Sequence, residues 1–332
     1  MKQWMSSLLL IAIVLIVLMS GCLEQDEQKA LQEVKIQAMW VPNAQFAGYY
    51  MAMEKGYYEE EGLSVVFNEY DETIAVKDTV AGENADFGID GANQVIVGRS
   101  EGLPLKALMV NFRKSPTAFA SLIETGIEKL GDLDGKKIGY LPDDTFVIFK
   151  TMIRINGINE STMTFIEYGY NFEMLYNGTV DVIPIYIFDE PYIMGEEGYD
   201  INTLLAYDYG VHFYGDTLFT TDQMIEENPG LVEGFIRATL RGWQYAIENP
   251  AEAVDIVLLY DHEDYHDKDY ETYIINHESP LVHTGEDYIG WMKESVWQEM
   301  HDLLLDQGML EKSINVSECY TMEFLEKIYE TS

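Results

Sequence analysis

From Val34 onward, short apolar alternations and helix-spaced apolar stripes take turns along the chain, and this rhythm constrains the fold more than any single motif. Val34, Ile36 and Ala38 alternate toward Trp40, a strand that Pro42 stops. Residues 46–55 then read as a helix, ended by Gly56 just past its C-terminus. Strands follow at 63–67, 85–89 and 105–110, with helices at 73–81 and 92–100 between them. Strands that alternate with helices predict a mainly parallel sheet covered on both faces.

The pattern then starts again. Strands at 136–140, 164–167 and 180–185 alternate with helices at 145–156, 172–176 and 190–196. The stretches 121–124 and 218–220 read as crossovers into and out of this second unit. Beyond them, Asn228-Pro229 and Asn249-Pro250 each place a capping Asn before a Pro at a first helical position. Val232, Ile236, Thr239, Trp243 and Ala246 form one core-facing stripe of the helix so started. The expected fold class is α/β with two lobes, each a mainly parallel sheet flanked by helices, joined by a two-crossover hinge. Lobe 1 comprises 34–122 plus 219–332 and lobe 2 comprises 123–218, with a ligand cleft between them.

The N-terminus sets the compartment. Residues 8–19 are an unbroken apolar run, preceded by Lys2 and followed by Ser20, Gly21 and Cys22. A membrane span needs about 20 apolar residues, so a run of 12 fits the apolar region of an export signal instead. Small residues ahead of a cysteine resemble a lipobox, which makes 1–21 a lipoprotein signal peptide, Cys22 the lipidated residue and 22–33 a polar tether. An uncleaved N-terminal anchor is the alternative, and either form leaves the domain on the extracytoplasmic face of the cell membrane. The remaining cysteine, Cys319, has no partner for an internal disulfide and no activating neighbour, so it reads as inert. Charge excludes another class of function. With 58 acidic against 20 basic residues the net charge is −38, which repels phosphate backbones and speaks against nucleic acid and against polybasic docking on lipid. Solubility in salt accounts for such a surface.

Residues 40–50 (WVPNAQFAGYY), with Glu54-Lys55-Gly56-Tyr57-Tyr58 and Glu61-Gly62-Leu63 after them, resemble the opening of substrate-binding proteins for thiamine pyrimidine precursors. Those receptors belong to the type II periplasmic-binding superfamily, which also serves sulfonates, nitrate and riboflavin. Further similarity lies at 85–89 (ADFGI), 114–116 (KSP), 130–139 (LGDLDGKKIG), 189–191 (DEP) and 228–253. The resemblance implies a type II periplasmic-binding-protein fold, a monomer without cofactor that hands a small solute to the permease and ATPase of an ABC importer. It implies formylaminopyrimidine or hydroxymethylpyrimidine as ligand, with riboflavin or a sulfonate- or nitrate-type solute as the alternative. Trp40, at the C-terminal end of the first strand, suits stacking on a flat ring. A Glu at the position of Glu190 accepts hydrogen bonds from the pyrimidine amine in the resembling receptors, and helix-terminus electrostatics is its competing role. Asn43, Asp90, Gln94, Ser115 and Tyr186 also fall at strand ends or helix starts facing the expected cleft.

Two enzyme readings compete with this one. His262, Glu263 and His266 match the H-E-x-x-H pattern of zinc proteases, but the acidic residues Asp261, Asp264, Asp267 and Asp269 around them read as a solvated turn rather than a helix. The fold also hosts a fungal pyrimidine synthase that consumes its own histidine and carries a cysteine cluster. Here the first segment of lobe 1 contains no histidine and no cysteine cluster exists. Neither a catalytic set nor a metal set emerges, so the chain reads as a receptor.

Overall fold

A computed structural model describes residues 30–331 apart from 72, 142–143 and 262–265. The proposed signal segment, Cys22 and most of the tether therefore lie outside the described residues. Among those described, no helix is long and apolar enough to cross a membrane.

Among the described residues ten strands follow one another as β1 (Gln32–Ala38), β2 (Leu63–Phe67), β3 (Phe87–Gly91), β4 (Leu105–Val110), β5 (Thr117–Leu122), β6 (Lys137–Tyr140), β7 (Thr164–Glu167), β8 (Ile183–Tyr186), β9 (Ile201–Leu205) and β10 (Asp216–Thr221). One sheet has the order β2-β1-β3-β10-β4. Its first three strands pair in parallel, while β10 runs antiparallel to both β3 and β4. The remaining strands, β5 to β9, form a second half of the fold that repeats this order. β5 pairs antiparallel with β8 on one side and β9 on the other, and β6 pairs parallel with β7. A parallel bridge from Ile138 to Val182, with Gly139 N–H donating to the Val182 carbonyl at 2.7 Å, sets β6 beside the approach to β8. The sequence of strands across this half is thus β7-β6-β8-β5-β9, and in both halves the fourth strand runs against the others.

That arrangement revises the crossovers expected at 121–124 and 218–220. β5 already begins at Thr117 and is the middle of its sheet, and β10 begins at Asp216 between β3 and β4. The chain therefore changes sheets over 111–116 and 211–215. Residues 117–122, expected in lobe 1, pair within the second sheet, and 216–218, expected in lobe 2, pair within the first. Both strands are buried on both faces, as Thr117, Ala118, Phe119 and Ala120 and also Asp216, Thr217, Leu218 and Phe219 show. A strand covered on two sides carries no alternation by which its start can be read. β9 escaped notice for the opposite reason, since only Leu204 in it is fully buried.

Helices place the ends of the parallel strands. Asn43 accepts the Gln45 N–H at 3.0 Å and starts a single 3₁₀ turn, Ala44–Phe46, that runs into the helix Ala47–Glu54. Gly56 adopts φ +70°, the left-handed conformation expected of it. The long helix Pro229–Glu248 lays its stripe of Val232, Ile236, Thr239, Trp243 and Ala246 fully into the core. Its contact with Ala47–Glu54 depends on two glycines. A Cβ on Gly242 would meet the Gly48 carbonyl oxygen at 1.9 Å, and one on Gly48 would meet the Trp243 ring at 2.3 Å. Asn228 and Asn249 occupy the positions before Pro229 and Pro250, but neither caps its helix through its side chain; Asn249 Nδ2 donates back to the Tyr245 carbonyl instead.

Candidate ligand-binding cleft

Segments that follow β1, β2, β3, β6 and β7 converge with β8 itself on one cavity of about 530 Å³. The C-terminal ends of parallel strands are where open α/β sheets bind ligands, because loops and helix starts meet there. Its size falls within the range of small-molecule sites. One side carries Trp40 after β1, Tyr70 after β2 and Asp90 and Gln94 around the end of β3. The other carries Tyr170 after β7 together with Tyr186, Asp189 and Glu190 at the end of β8.

Three rings form an aromatic wall. The Trp40 ring lies 5.6 Å from that of Tyr70 and 5.9 Å from that of Tyr170, tilted by 55° and 44°. Those tilts make a splayed surface rather than a closed stack, open to the face of a flat guest. Tyr170 reaches this position with φ +57°, a backbone conformation that a bulky residue adopts only under constraint. It also remains more than half exposed, at 53%.

Carboxyl groups share the lining with these rings. Glu190 Oε2 accepts the Tyr186 N–H at 2.7 Å, and its neighbour Asp189 accepts the Tyr270 hydroxyl at 2.5 Å from the helix Lys268–Val282. Asp90 Oδ1 accepts the Gly91 N–H at 2.8 Å. Burial pushes the Asp90 carboxyl up to about 7 against its own backbone hydrogen bond. Burial first, and then the Asp189 charge, raises Glu190 well above the ordinary range. Asp189 is raised by burial too. These groups can present either a protonated donor or an acceptor to a ligand edge.

Of the residues expected here, Trp40, Asp90, Gln94, Tyr186 and Glu190 line the cavity. Asn43 and Ser115 do not. Asn43 is fully buried with its oxygen spent on the turn at Gln45, and Ser115 shares its hydroxyl with Thr117 at the start of β5. Tyr70 and Tyr170 were missed, although each stands three residues past the last residue of a strand read from the sequence, the same signal that marked Trp40. Gln45 also lines the cavity and donates to Asp216 Oδ2 at 2.6 Å behind it.

His266, the described histidine of the H-E-x-x-H pattern, is not among the residues lining this cavity. His262 and Glu263 lie outside the described residues. His266 precedes the helix that Asp267 caps, so it is not itself helical; it stacks on Tyr270 at 4.3 Å and sits 3.2 Å from Glu271. No group of three His, Cys, Asp or Glu suited to a metal occurs among the described residues. Burial pushes the Cys319 thiol up to about 12.

A family model described as NMT1/THI5 like matches residues 43–253. The chain belongs to that family. Among its relatives is the riboflavin-binding protein RibY of Chloroflexus aurantiacus, 28% identical over 312 residues that span 90% of this chain and 88% of RibY. The formylaminopyrimidine-binding protein of Halalkalibacterium halodurans is 27% identical over 293 residues, 84% of this chain and 88% of that protein. In fold, the chain superposes on the periplasmic aliphatic sulphonate binding protein SsuA of Escherichia coli with a TM-score of 0.71, covering 86% of this chain and 91% of SsuA at 12% identity. This chain therefore has the periplasmic-binding-protein fold.

Proposed function

We propose that this protein is the extracytoplasmic solute receptor of an ABC importer, tethered through a lipid on Cys22, and that it closes on a flat heteroaromatic ring. The single observation that carries this reading is the cavity itself, whose lining joins the wall of Trp40, Tyr70 and Tyr170 with the carboxyl groups of Asp189 and Glu190. Rings gain apolar burial on such a wall, while a few placed polar groups set orientation. A thiamine pyrimidine precursor, formylaminopyrimidine or hydroxymethylpyrimidine, offers both a ring for Trp40 and an amine for Glu190. The kinship with the formylaminopyrimidine-binding protein supports this choice. Riboflavin is the second reading, favoured by a cavity of about 530 Å³ that is roomy for one six-membered ring and by the relationship to RibY. The synthase reading gains no support from the described part of the site, since no histidine or cysteine is among the described residues lining it.

A thermal-shift screen of these compounds tests the proposal. A true ligand at 100 times its dissociation constant stabilises by about 2.7 kcal/mol, and Trp40→Ala should reduce that stabilisation for every flat ligand. If none of the flat rings stabilised the protein while an alkanesulfonate or nitrate did, the proposal would be wrong.

A further inference from the structure

Backbone N–H groups at strand ends and helix starts are the usual receptors for an anion in folds of this kind. In this cleft the chain has filled such donors with its own carboxylates. Asp71 Oδ1 takes the Thr73 N–H at 2.9 Å and the Thr73 hydroxyl at 2.7 Å. Asp90 takes the Gly91 N–H ahead of the helix Ala92–Glu101, and Glu190 takes the Tyr186 N–H. The one basic side chain lining the cavity among the described residues, Lys77, is already paired with Glu101 and lies 3.9 Å from Asp78. Behind the lining stands a second layer of acid. Gln45 hydrogen-bonds Asp216, whose charge acts on both Asp90 and Glu278. Glu278 is fully buried, and neither of its oxygens has a hydrogen-bond partner among the described residues.

We infer that the cleft selects by charge, admitting a neutral or protonated heteroaromatic ring and rejecting the same ring once it carries a phosphate or sulfonate. The inference rests on the flat-ring reading above and narrows it. Whatever their protonation state, these groups supply a guest with acceptors or with neutral acid donors. None supplies a compensating cation for an anionic tail. A cationic ring would instead meet carboxyls ready to ionise.

Matched pairs separate this inference from the reading beneath it. Calorimetry on the full chain would compare riboflavin with riboflavin 5′-phosphate, and an aminopyrimidine alcohol with its phosphate ester, at pH 8 and low salt. The unphosphorylated member that binds should do so about a hundredfold or more tightly than its ester, because like charges juxtaposed in a binding site are strongly disfavoured. Converting both acids, as Asp90→Asn with Glu190→Gln, should narrow that gap. Equal binding by both members of a pair, tighter binding of the ester, or a gap unchanged in the double variant would overturn the charge argument and leave the flat-ring reading standing. Failure of all four compounds to bind would overturn the flat-ring reading, and this inference with it.

Discussion

Glu190→Gln isolates the chemistry of the cleft from its packing. Glu190 opens the helix Glu190–Glu196, and its Oε2 holds the Tyr186 N–H at 2.7 Å. The amide oxygen of a glutamine can keep that bond, so the local turn survives. Its second atom changes from an acceptor to a donor. At a pH where the Glu190 carboxyl is ionised, a ligand that offers an exocyclic amine then loses a hydrogen bond to a charged group, a loss of about 1.5–3 kcal/mol. That corresponds to roughly tenfold to 150-fold in affinity. A flat analogue without the amine should change far less. Stability gives a second, ligand-free readout. Burial raises the Glu190 carboxyl above its ordinary 4.5, so between those two values the folded chain binds more protons than the unfolded one. Stability contributed by this group is therefore greatest in acid and declines as pH rises through that window. The glutamine variant should lack this decline and be at least as stable at neutral pH. Calorimetry with the aminopyrimidine and its deaminated analogue, together with urea titrations across pH, would read both effects. Equal weakening of the two ligands would make Glu190 a residue of the helix terminus only. A variant less stable than its parent at neutral pH would refute the burial argument.

Three further outcomes are expected. Tyr170→Gly should relieve a positive φ worth roughly 1 kcal/mol while removing one ring of the aromatic wall, so chemical denaturation should show equal or greater stability and calorimetry weaker ligand binding. Gly242→Ala should cost about 1–3 kcal/mol or more, since the added Cβ meets backbone rather than a movable side chain; an unchanged urea midpoint would contradict the close helix contact. Cys22→Ser should release the protein from membranes or block its processing, and unchanged size and membrane attachment in fractionation would mean that the N-terminal segment is an ordinary anchor.

What the sequence made legible followed burial on one side. Val34, Ile36 and Ala38 alternate because one face of β1 meets the core, and that strand was placed within two residues. Trp243 and its stripe were read correctly for the same reason. β5 and β10 were mistaken for short crossovers because Ala118, Ala120, Thr217 and Thr220 are small or polar yet wholly buried, so neither hydrophobicity nor alternation marked them. In the cleft, strand-end position pointed to Trp40, Asp90 and Glu190, which line the cavity. It also pointed to Asn43 and Ser115, which are not among the lining residues, because a polar residue at a strand end can equally be spent on local backbone geometry. Tyr170 depended on a left-handed backbone at a non-glycine residue, which no propensity indicates.

The strand order also governs when the molecule can become itself. β4 has no neighbouring strand in its sheet until β10 inserts between it and β3, and β10 is the last strand to be made. Val110 thus awaits Thr217, with the whole second sheet intervening in sequence. Long separations of this kind slow folding, because loop-closure entropy must be met before the pairing contributes. A chain emerging from its N-terminus would expose the edges of β3 and β4 throughout synthesis, and unpaired edges invite association with other chains. Its surplus of carboxylates has a use at that stage as well: incomplete chains that repel one another have time to wait for their missing strand.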